Sequence, residues 1–323
     1  MKTLKKILKW TGISLLIVIL IFAGVVASKQ NQKFDAPYPE IHASTDSSVI
    51  AKGKYLFYGP AHCMDCHSNK ADYPGIEKIT EIPPSGGMLF DLPIGAIYTP
   101  NITSHPVTGI GNMSDQEIAR TLRYGVGSDG RAIIDFMPFH DMSDADLTAI
   151  ISFVRTIPAV DKKVPRVEYN LLGKVISAFL IKPVGPTGVV PKDVKPEVSI
   201  AYGKYLTNSV ANCIGCHTNR DMMTGDKIGE DFGGGLKLEA IGNLKKSYVA
   251  RNLTPDKDYG HIKDWSEEQF VNRFHAGKLF EDSPMPWESF KQFSDSDLKA
   301  IYVYLQNLKP VHNDAGPVLV MEE

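Results

Sequence analysis

The sequence predicts an all-α fold, in which two similar helical units follow an N-terminal apolar helix. Three observations support this prediction: an uncharged apolar run near the N-terminus, an internal duplication at an offset of about 150 residues, and helix-capping signatures in both halves of the chain. No segment alternates between apolar and polar residues for long enough to predict a sheet. We expect an anchor at 1–28, a first unit at 45–160, a linker at 161–198, a second unit at 199–312 and a C-terminal tail at 313–323.

The balance of charge limits the partners that the chain can bind. Its 323 residues include 35 Lys and Arg against 37 Asp and Glu, a formal net charge of −2. Lys2, Lys5, Lys6 and Lys9 precede the apolar run without any acid, so the rest of the chain is more acidic, at about −6. An acidic body repels a phosphate backbone, and we expect no nucleic-acid partner.

The first element is an apolar run without charged side chains from Trp10 to Ser28. A helix of this length rises roughly 28 Å, close to the thickness of a bilayer core. The preceding lysines place the N-terminus in the cytoplasm by the positive-inside rule. We therefore expect a single-pass anchor in the inner (cytoplasmic) membrane, with the body facing the periplasm. The alternative is a signal peptide, because Val25-Val26-Ala27 resembles a cleavage site.

The body contains a duplicated unit. Gly53–Leu56 recurs as Gly203–Leu206, and the C-x-x-C-H motif at Cys63–His67 recurs at Cys213–His217. Later landmarks keep the same order: Asn101-Ile102-Thr103 with Asn252-Leu253-Thr254, Met137-Pro138 with Met285-Pro286, and Ser143–Leu147 with Ser294–Leu298. Conserved order at a nearly constant offset indicates two homologous units.

Each unit is expected to contain short helices joined by long loops. Four helix starts have a Ser followed three residues later by an acid or amide, which can bond free backbone amides: Ser114/Glu117, Ser143/Asp146, Ser266/Gln269 and Ser294/Asp297. The last helix of each unit has an apolar stripe with helical spacing, formed by Leu147, Ile150, Ile151 and Val154 and by Leu298, Ile301, Tyr302 and Leu305. Because few helices are available to enclose a core, we expect a large apolar group to fill it.

The linker is rich in proline but contains one apolar segment. Asn170–Lys182 is predicted to form a short helix. We expect this helix to pack between the two units. The alternative is that it lies on the membrane surface or on a partner.

All four cysteines lie in the two C-x-x-C-H motifs. Two thiols at this spacing on a helical turn can form thioethers with the vinyl groups of one haem, and the adjacent His then reaches the iron. The motifs predict two covalent haem c groups, bound by Cys63, Cys66 and His67 and by Cys213, Cys216 and His217. A four-Cys zinc site gives no reason for the two His, and a thioredoxin-like disulfide needs a βαβ pattern that is missing.

The second axial ligand of each iron is predicted from the duplication. Met is the usual soft ligand of an electron-transfer haem. Met137 and Met285 lie 70 and 68 residues after the two motif histidines, and each is followed by Pro, which favours an extended loop. The predicted metal ligands are His67 with Met137 and His217 with Met285. His140 and His275 are rivals, but neither has a His counterpart in the other unit.

The sequence predicts only general roles for the remaining histidines and for four arginines. Surface or hydrogen-bonding roles are expected for His42, His62, His105, His261 and His312, and also for His140 and His275. Haem propionates need donors, and Arg120, Arg123, Arg251 and Arg273 are available either for them or for solvated surface roles.

The sequence resembles the dihaem and multihaem cytochromes c, especially the membrane-bound cytochrome subunits of periplasmic alcohol, gluconate and sorbitol dehydrogenases. The resemblance rests on Tyr98–Thr103, Thr108–Ser114, the two Met-Pro pairs and the Leu-rich last helices. It implies two tandem class I cytochrome c domains, at 45–160 and 199–312, and respiratory electron transfer. Members of that type commonly have three haem motifs and a C-terminal anchor, whereas this chain has two motifs and an N-terminal apolar run.

The predicted function is one-electron transfer in a periplasmic respiratory chain, between a dehydrogenase or quinol-oxidising complex and an acceptor such as a terminal oxidase. With protein ligands at both axial positions, neither iron offers an open position to a substrate. We therefore expect an electron carrier or electron-transfer subunit without catalytic residues. The alternative is a dihaem redox enzyme of the peroxidase or thiosulfate dehydrogenase type, in which one iron has an exchangeable ligand.

Overall fold

The computed structural model describes residues 2–221 and 225–321. Met1 of the expected anchor and Glu322 and Glu323 of the expected tail lie outside the described residues. The α-helices are α1 (Lys2–Lys29), α2 (Ser47–Tyr58), α3 (Cys63–His67), α4 (Asp115–Tyr124), α5 (Asp144–Val154), α6 (Leu171–Phe179), α7 (Ile200–Tyr205), α8 (Cys213–His217), α9 (Glu267–His275), α10 (Trp287–Phe290) and α11 (Asp295–Gln306). Short 3-10 helices span Lys70–Asp72 and Ile79–Glu81, and a π-helix spans Leu206–Val210.

The N-terminal apolar run forms a single helix. In the described part of the chain, α1 is the one helix that is long and apolar enough to cross a membrane, and a signal sequence near an N-terminus has the same properties. Most of its large apolar side chains are half exposed or more, Ile13 and Val25 are less exposed, and among them Val26 alone is buried. A lipid environment would cover these side chains.

The prediction of an all-α fold is wrong. About 39% of the chain is helical, but 10% is strand. The strands form two three-stranded antiparallel sheets, β1 (Leu89–Leu92), β2 (Gly95–Tyr98) and β3 (Glu168–Tyr169) in the first unit, and β4 (Lys237–Ala240), β5 (Asn243–Val249) and β6 (Leu319–Met321) in the second. The third strand of each sheet, β3 or β6, lies in the segment after the last helix of its unit, α5 or α11. It therefore pairs with a strand, β2 or β5, that lies about 70 residues earlier in the chain.

The predicted helix starts and core stripes are confirmed. Ser114 and Ser266 form complete capping boxes, and Ser143 and Ser294 accept from the backbone three residues on. The stripes of α5 and α11 are buried, apart from the partly exposed Tyr302. These residues belong to one hydrophobic cluster that is continuous across both units.

The first and last helices of each unit cross at a glycine. A Cβ on Gly53 of α2 would lie 1.8 Å from the carbonyl oxygen of Ala149 in α5. In the second unit, a Cβ on Gly203 of α7 would lie 2.0 Å from the carbonyl oxygen of Ala300 in α11. The repeated glycine therefore lets each helix pair approach closely, in the same way in both units.

The two units contact each other reciprocally. The hydroxyl of Tyr55 donates to the Oδ2 atom of Asp297 at 2.6 Å, and the hydroxyl of Tyr205 donates to the Oδ2 atom of Asp146 at 2.5 Å. Burial, together with the nearby carboxylates, raises the pKa of both phenols, so they remain donors. Each tyrosine belongs to one unit and each aspartate to the other, which relates the units by an approximate two-fold axis.

The apolar linker segment forms α6 as predicted, but it does not take the expected place. Its main contacts in the described residues are with α1 and with the first sheet. Asn170 caps it, and the Asn170 side chain also donates to the carbonyl of Pro93 at 2.8 Å. The expectation that this helix packs between the two units is therefore wrong.

Candidate functional site

The two C-x-x-C-H motifs form matching five-residue helices, α3 and α8. Each is entered through a left-handed residue, His62 with φ 39° and Asn212 with φ 50°. All four thiols are free. Burial raises the pKa of Cys66 to about 11 and that of Cys213 to about 12, so these thiols are protonated near neutral pH. The two motifs thus present the same groups in the same local conformation.

The four thiols do not converge on one point. Within residues 2–221 and 225–321, the group of His, Cys, Asp and Glu ligand atoms close enough to share a metal ion is Asp256, Asp258 and His312, which contains no cysteine. A four-Cys zinc site is therefore not formed. The chemistry of each motif has to be considered separately.

Each motif histidine is oriented by a backbone carbonyl. The Nδ1 atom of His67 lies 3.0 Å from the carbonyl oxygen of Pro100, and the Nδ1 atom of His217 lies 2.9 Å from that of Arg251. A carbonyl can only accept, so Nδ1 carries the proton in both rings. Burial lowers the pKa of both imidazoles and keeps them neutral. The Nε2 atom of each ring is left with its lone pair, which is the usual arrangement of a metal-ligating histidine.

A glycine pair lies beside each histidine. The backbone N–H of Gly86 donates to the carbonyl of His67 at 2.9 Å, and that of Gly234 donates to the carbonyl of His217 at 2.8 Å. Both glycines have positive φ, 66° and 72°. A Cβ on Gly86 would lie 2.4 Å from the backbone of Pro100, and one on Gly234 would be as close to the matching loop. Glycine is therefore required for the histidine and its acceptor to lie this close together.

The loop that holds each histidine acceptor is tied to the end of its unit. The side-chain amide of Asn101 donates to the carbonyl of Val160 at 2.8 Å, and that of Asn252 donates to the carbonyl of Val311 at 2.8 Å. Both asparagines are buried. The accepting carbonyl lies just after the last helix of each unit. The bond therefore fixes the histidine loop relative to the helix pair.

A nearby His–Asp contact occurs in both units with the two residue types exchanged. His105 lies 3.8 Å from Asp161 in the first unit, and in the second unit Asp256 lies 3.4 Å from His312 at the corresponding positions. The exchange explains why neither histidine has a His counterpart in the other repeat. The predicted hydrogen-bonding or surface role of His105 and His312 is confirmed.

Met137 and Met285 occupy equivalent loops. In each, the N–H two residues later donates to the methionine carbonyl, from Phe139 at 2.8 Å and from Trp287 at 2.7 Å. Both methionine side chains are half-buried and pack against the shared core, as do Cys63 and Cys213. These four of the predicted cofactor residues thus border one apolar region.

The rival histidines are engaged elsewhere. His140 has its Nδ1 atom 3.0 Å from the carbonyl of Arg123 and its Nε2 atom 2.8 Å from Asp135. His275 has its Nδ1 atom 3.1 Å from the carbonyl of Lys291 and its Nε2 atom 2.8 Å from Asp295. Both nitrogens of both rings have partners, which confirms the hydrogen-bonding role expected for them.

The four candidate arginines have different surroundings. Arg120 donates to the carbonyl of Phe34, and Arg273 lies 3.7 Å from the ring centre of Trp287, so both have structural partners. Arg123 bonds Asp144 but leaves its buried Nε atom without a partner. Arg251 also has a buried Nε atom without a partner, and its own carbonyl orients His217. Arg120 likewise leaves a buried Nε atom without a partner, so Arg251 is distinguished by the contact of its carbonyl with a candidate iron ligand.

The histidine acceptors and the glycine pairs had no predicted role. Pro100 and Arg251 act through their backbone carbonyls, which leave no side-chain signature in a sequence. The glycines did leave one, because Gly86-Gly87 and Gly234-Gly235 recur at an offset that matches the other landmarks. Extending the repeat comparison to glycine pairs is enough to find them.

Comparison with known proteins places the chain among relatives of cytochrome c type, although no protein-family model matches it. It is 29% identical over 284 residues to the alcohol dehydrogenase (quinone) cytochrome c subunit of Gluconobacter oxydans, covering 82% of this chain and 56% of that protein. It is 27% identical over 282 residues to the gluconate 2-dehydrogenase cytochrome c subunit of Pantoea cypripedii, covering 81% and 60%. The resemblance to cytochrome c subunits of dehydrogenases is thereby confirmed.

A third relative has a length closer to that of this chain. The chain is 24% identical over 287 residues to a diheme cytochrome c-type protein of Cereibacter sphaeroides, covering 84% of this chain and 90% of that protein. By contrast, the chain spans little more than half the length of the two dehydrogenase subunits. The similarity therefore covers both repeated units in each case, but only part of the longer relatives.

Proposed function

We propose that this chain is a membrane-anchored dihaem cytochrome c that transfers single electrons and has no substrate chemistry of its own. The observation that carries the proposal is the repeated geometry of His67, which is buried, and His217, which is half-buried. Each is neutral and held through Nδ1 by a backbone carbonyl, next to two thiols at thioether spacing. The similarity to cytochrome c subunits supports covalent haem c, and the diheme relative supports a count of two.

The donor set fits the proposed cofactor. Each site offers two protonated thiols, an imidazole with a free Nε2 atom and a half-buried thioether, from Met137 or Met285. Imidazole and thioether together are a common ligand pair for electron-transfer haem iron. The unpartnered Nε atom of Arg251 offers a buried cationic donor of the kind that a propionate accepts.

The roles of the protein groups follow from this arrangement. When bound, haem supplies a one-electron change at iron. Pro100 and Arg251 fix the tilt of the two imidazoles through their carbonyls, and Gly86 and Gly234 keep those loops in place. The firmly held loops of Met137 and Met285 would favour little change of ligation between oxidation states, which outer-sphere transfer requires. No proton has to move at the histidines, because their pKa is already lowered by burial.

The proposed location and partners follow from α1 and from the relatives. A retained α1 would fix the chain to the inner membrane by one span, with the body in the periplasm. The matched subunits are named for alcohol and gluconate dehydrogenases. We therefore place this chain between a dehydrogenase or a quinol-oxidising complex and a later acceptor, such as a terminal oxidase, in a respiratory chain.

The cofactor part of this proposal is tested by counting covalent haem. A pyridine haemochrome assay on acid-acetone-extracted protein should give two haems per chain. The double variant Cys63→Ala/Cys66→Ala should give one, and so should Cys213→Ala/Cys216→Ala. Loss of both haems in either variant would show that the units do not load independently, and no covalent haem in the wild type would refute the proposal.

The electron-transfer part is tested with the purified chain and a basic cytochrome. Reduced protein mixed with an oxidised basic cytochrome should transfer electrons at a rate that falls as ionic strength rises, because the body is acidic. Steady turnover of peroxide, thiosulfate or an alcohol by the isolated chain, lost on substitution of Met137 or Met285, would instead support a dihaem redox enzyme.

A further inference from the structure

Helix α6 is amphipathic, but its two faces are the reverse of those of a soluble protein's surface helix. Its small residues face the rest of the protein, since Gly173 and Ala178 are buried. Its leucines face outward, while Val175 and Ile176 are only partly exposed. Leu171 is 78% exposed, Leu172 is 51% exposed and Leu180, just after the helix, is 68% exposed. A surface helix in water normally buries its large apolar residues and exposes its polar ones. Something other than water is therefore expected to cover this face.

The inward face of α6 fits closely against the body. A Cβ on Gly173 would lie 2.0 Å from the carbonyl oxygen of Ile94, in the turn between β1 and β2. The hydroxyl of Ser177 donates to the carbonyl of Gln30, just after α1, at 2.9 Å. These contacts fix the rotation of the helix, so its apolar face cannot turn inward without losing them.

The position of α6 along α1 places it at the end of the apolar run. The rings of Phe22 and Phe179 stack with centroids 6.0 Å apart. Phe22 precedes Ser28, the last uncharged residue of the run, by six residues, or roughly 9 Å of helix. The Nζ atom of Lys29 lies 5.7 Å from the same Phe179 ring. The helix thus lies where the apolar run gives way to charge, within the roughly 5–10 Å depth to which interfacial helices bury.

We propose that α6 lies in the plane of the membrane interface, with Leu171, Leu172, Phe179 and Leu180 in the outer leaflet of the bilayer that α1 crosses. The placement in that particular bilayer rests on the proposed retention of α1, whereas the contact of α6 with lipid is argued from its own exposed apolar face. Lys174 is exposed on α6, and Lys182 lies 5.3 Å from the ring of Phe34. With Lys29 they form a basic rim around the apolar face, suited to anionic lipid headgroups.

The body is joined rigidly to this membrane contact. After α1, the N–H of Phe34 donates to the carbonyl of Gly130 at 2.8 Å, and its carbonyl accepts from Arg120 at 2.9 Å. Two separate segments, 29–34 and 170–182, therefore connect the membrane to the first unit. A single helix would let the body rotate about the membrane normal and tilt, whereas two contacts fix which face of the first unit points toward the bilayer.

The experiment uses the full chain in vesicles that contain a phospholipid with a photoactivatable diazirine in its acyl chain. After irradiation, labelled peptides are identified by mass spectrometry. The test variant is Leu171→Gln/Leu172→Gln/Leu180→Gln, which changes outward side chains only. The matched control is Val107→Gln/Val189→Gln/Ile228→Gln, three exposed apolar residues outside α6. Equal haem content shows that both variants fold.

We expect label on peptides from 170–182 in the wild type and in the control, and a several-fold lower yield in the test variant. Unlabelled 170–182 in the wild type, or equal yield in the test variant, would overturn the inference and leave this face for a protein partner. Label on 10–28 reports the anchor separately. If 10–28 is unlabelled or missing while 170–182 is labelled, the anchor fails and the interfacial helix stands.

Discussion

The hydroxyl of Ser289 donates a hydrogen bond to the carboxylate of Asp65 and so joins the two units at their candidate sites. Asp65 lies between the two cysteines of the first motif, and Ser289 lies four residues after Met285. The ring of His62 also packs 5.3 Å from that of Phe290. The proposed ligand loop of the second site therefore rests against the attachment turn of the first, which provides a short bonded route between the two sites.

Ser289→Ala should destabilise the protein, because it leaves the half-buried carboxylate of Asp65 without this donor. The expected loss in the free energy of unfolding is about 1–3 kcal/mol. Urea unfolding of the variant and the wild type measures it. Ser47→Ala, at an exposed position at the start of α2, is the control and should change the free energy by less than about 0.5 kcal/mol. Equal effects of the two changes would contradict the role given to this contact.

Met137→Ala or Met285→Ala should each lower the reduction potential of one proposed haem. A thioether favours ferrous iron, and its loss should lower the potential by about 0.2 V, within the roughly 0.8 V range that axial ligands span. Potentiometric titration with optical detection resolves the two irons. Met113→Leu, a half-buried methionine outside the Met-Pro loops, is the control. An unchanged titration of Met285→Ala would mean that Met285 is not a ligand.

Gly86→Ala should destabilise the protein by more than backbone strain alone, because it also disturbs the first candidate site. The new Cβ would meet Pro100, whose carbonyl orients His67. Gly75 also has positive φ, at 84°, but a Cβ there has nothing within 4 Å, so Gly75→Ala reports the conformational strain alone, about 1 kcal/mol. We expect Gly86→Ala to lose at least about 1 kcal/mol more and to shift one reduction potential. Matching unfolding curves for the two variants would rule out the positioning role.

The pH dependence of stability should report the His140–Asp135 pair. Burial opposes protonation of His140, but the hydrogen bond and charge of Asp135, with the carbonyl of Arg123, outweigh it and raise the pKa above its ordinary value of 6.5. A raised folded-state pKa stabilises the protein fully below the unfolded value, and this contribution is lost as pH rises through the folded value. The difference in unfolding free energy between wild type and His140→Gln should therefore shrink with rising pH.

His140→Gln also separates the two candidate ligands of the first iron. Because both nitrogens of His140 have partners, the variant should keep the absorption spectrum of the wild type, whereas Met137→Ala should change it.

In the pH experiment, a difference in unfolding free energy between wild type and His140→Gln that grows with pH would contradict the assigned direction of the pKa shift.

Local signals predicted the helices well. The Ser caps at 114, 143, 266 and 294 form as expected because a cap involves residues three apart, and the stripes on α5 and α11 follow helical spacing. The strands were missed because β1 and β2 are only four residues long and β1 alone of the two alternates in burial. In addition, β2 pairs with β3 from a distant segment. A short strand held by a non-local partner has no period long enough to detect.

The candidate site shows the same division. Spacing and duplication can be read from the sequence. They were enough to predict the two motifs, the Met-Pro loops and the hydrogen-bonding role of the rival histidines. The acceptors of His67 and His217 lie 33 and 34 residues away and act through the backbone. Likewise, the apolar linker segment predicts a helix, but its docking on α1 depends on Gly173 meeting a turn far away in the chain. These relationships are set by tertiary packing.

The reciprocal contacts of Tyr55 with Asp297 and of Tyr205 with Asp146 make each unit bind the other through the same surface. Two free copies with such a self-complementary surface would form a dimer that dissociates on dilution. Residues 161–198 connect the two units covalently, so their association does not depend on how much protein the cell makes. The spacing between the two sites is therefore insensitive to expression level. Under the proposed function, an electron would pass between the two sites without an encounter between molecules.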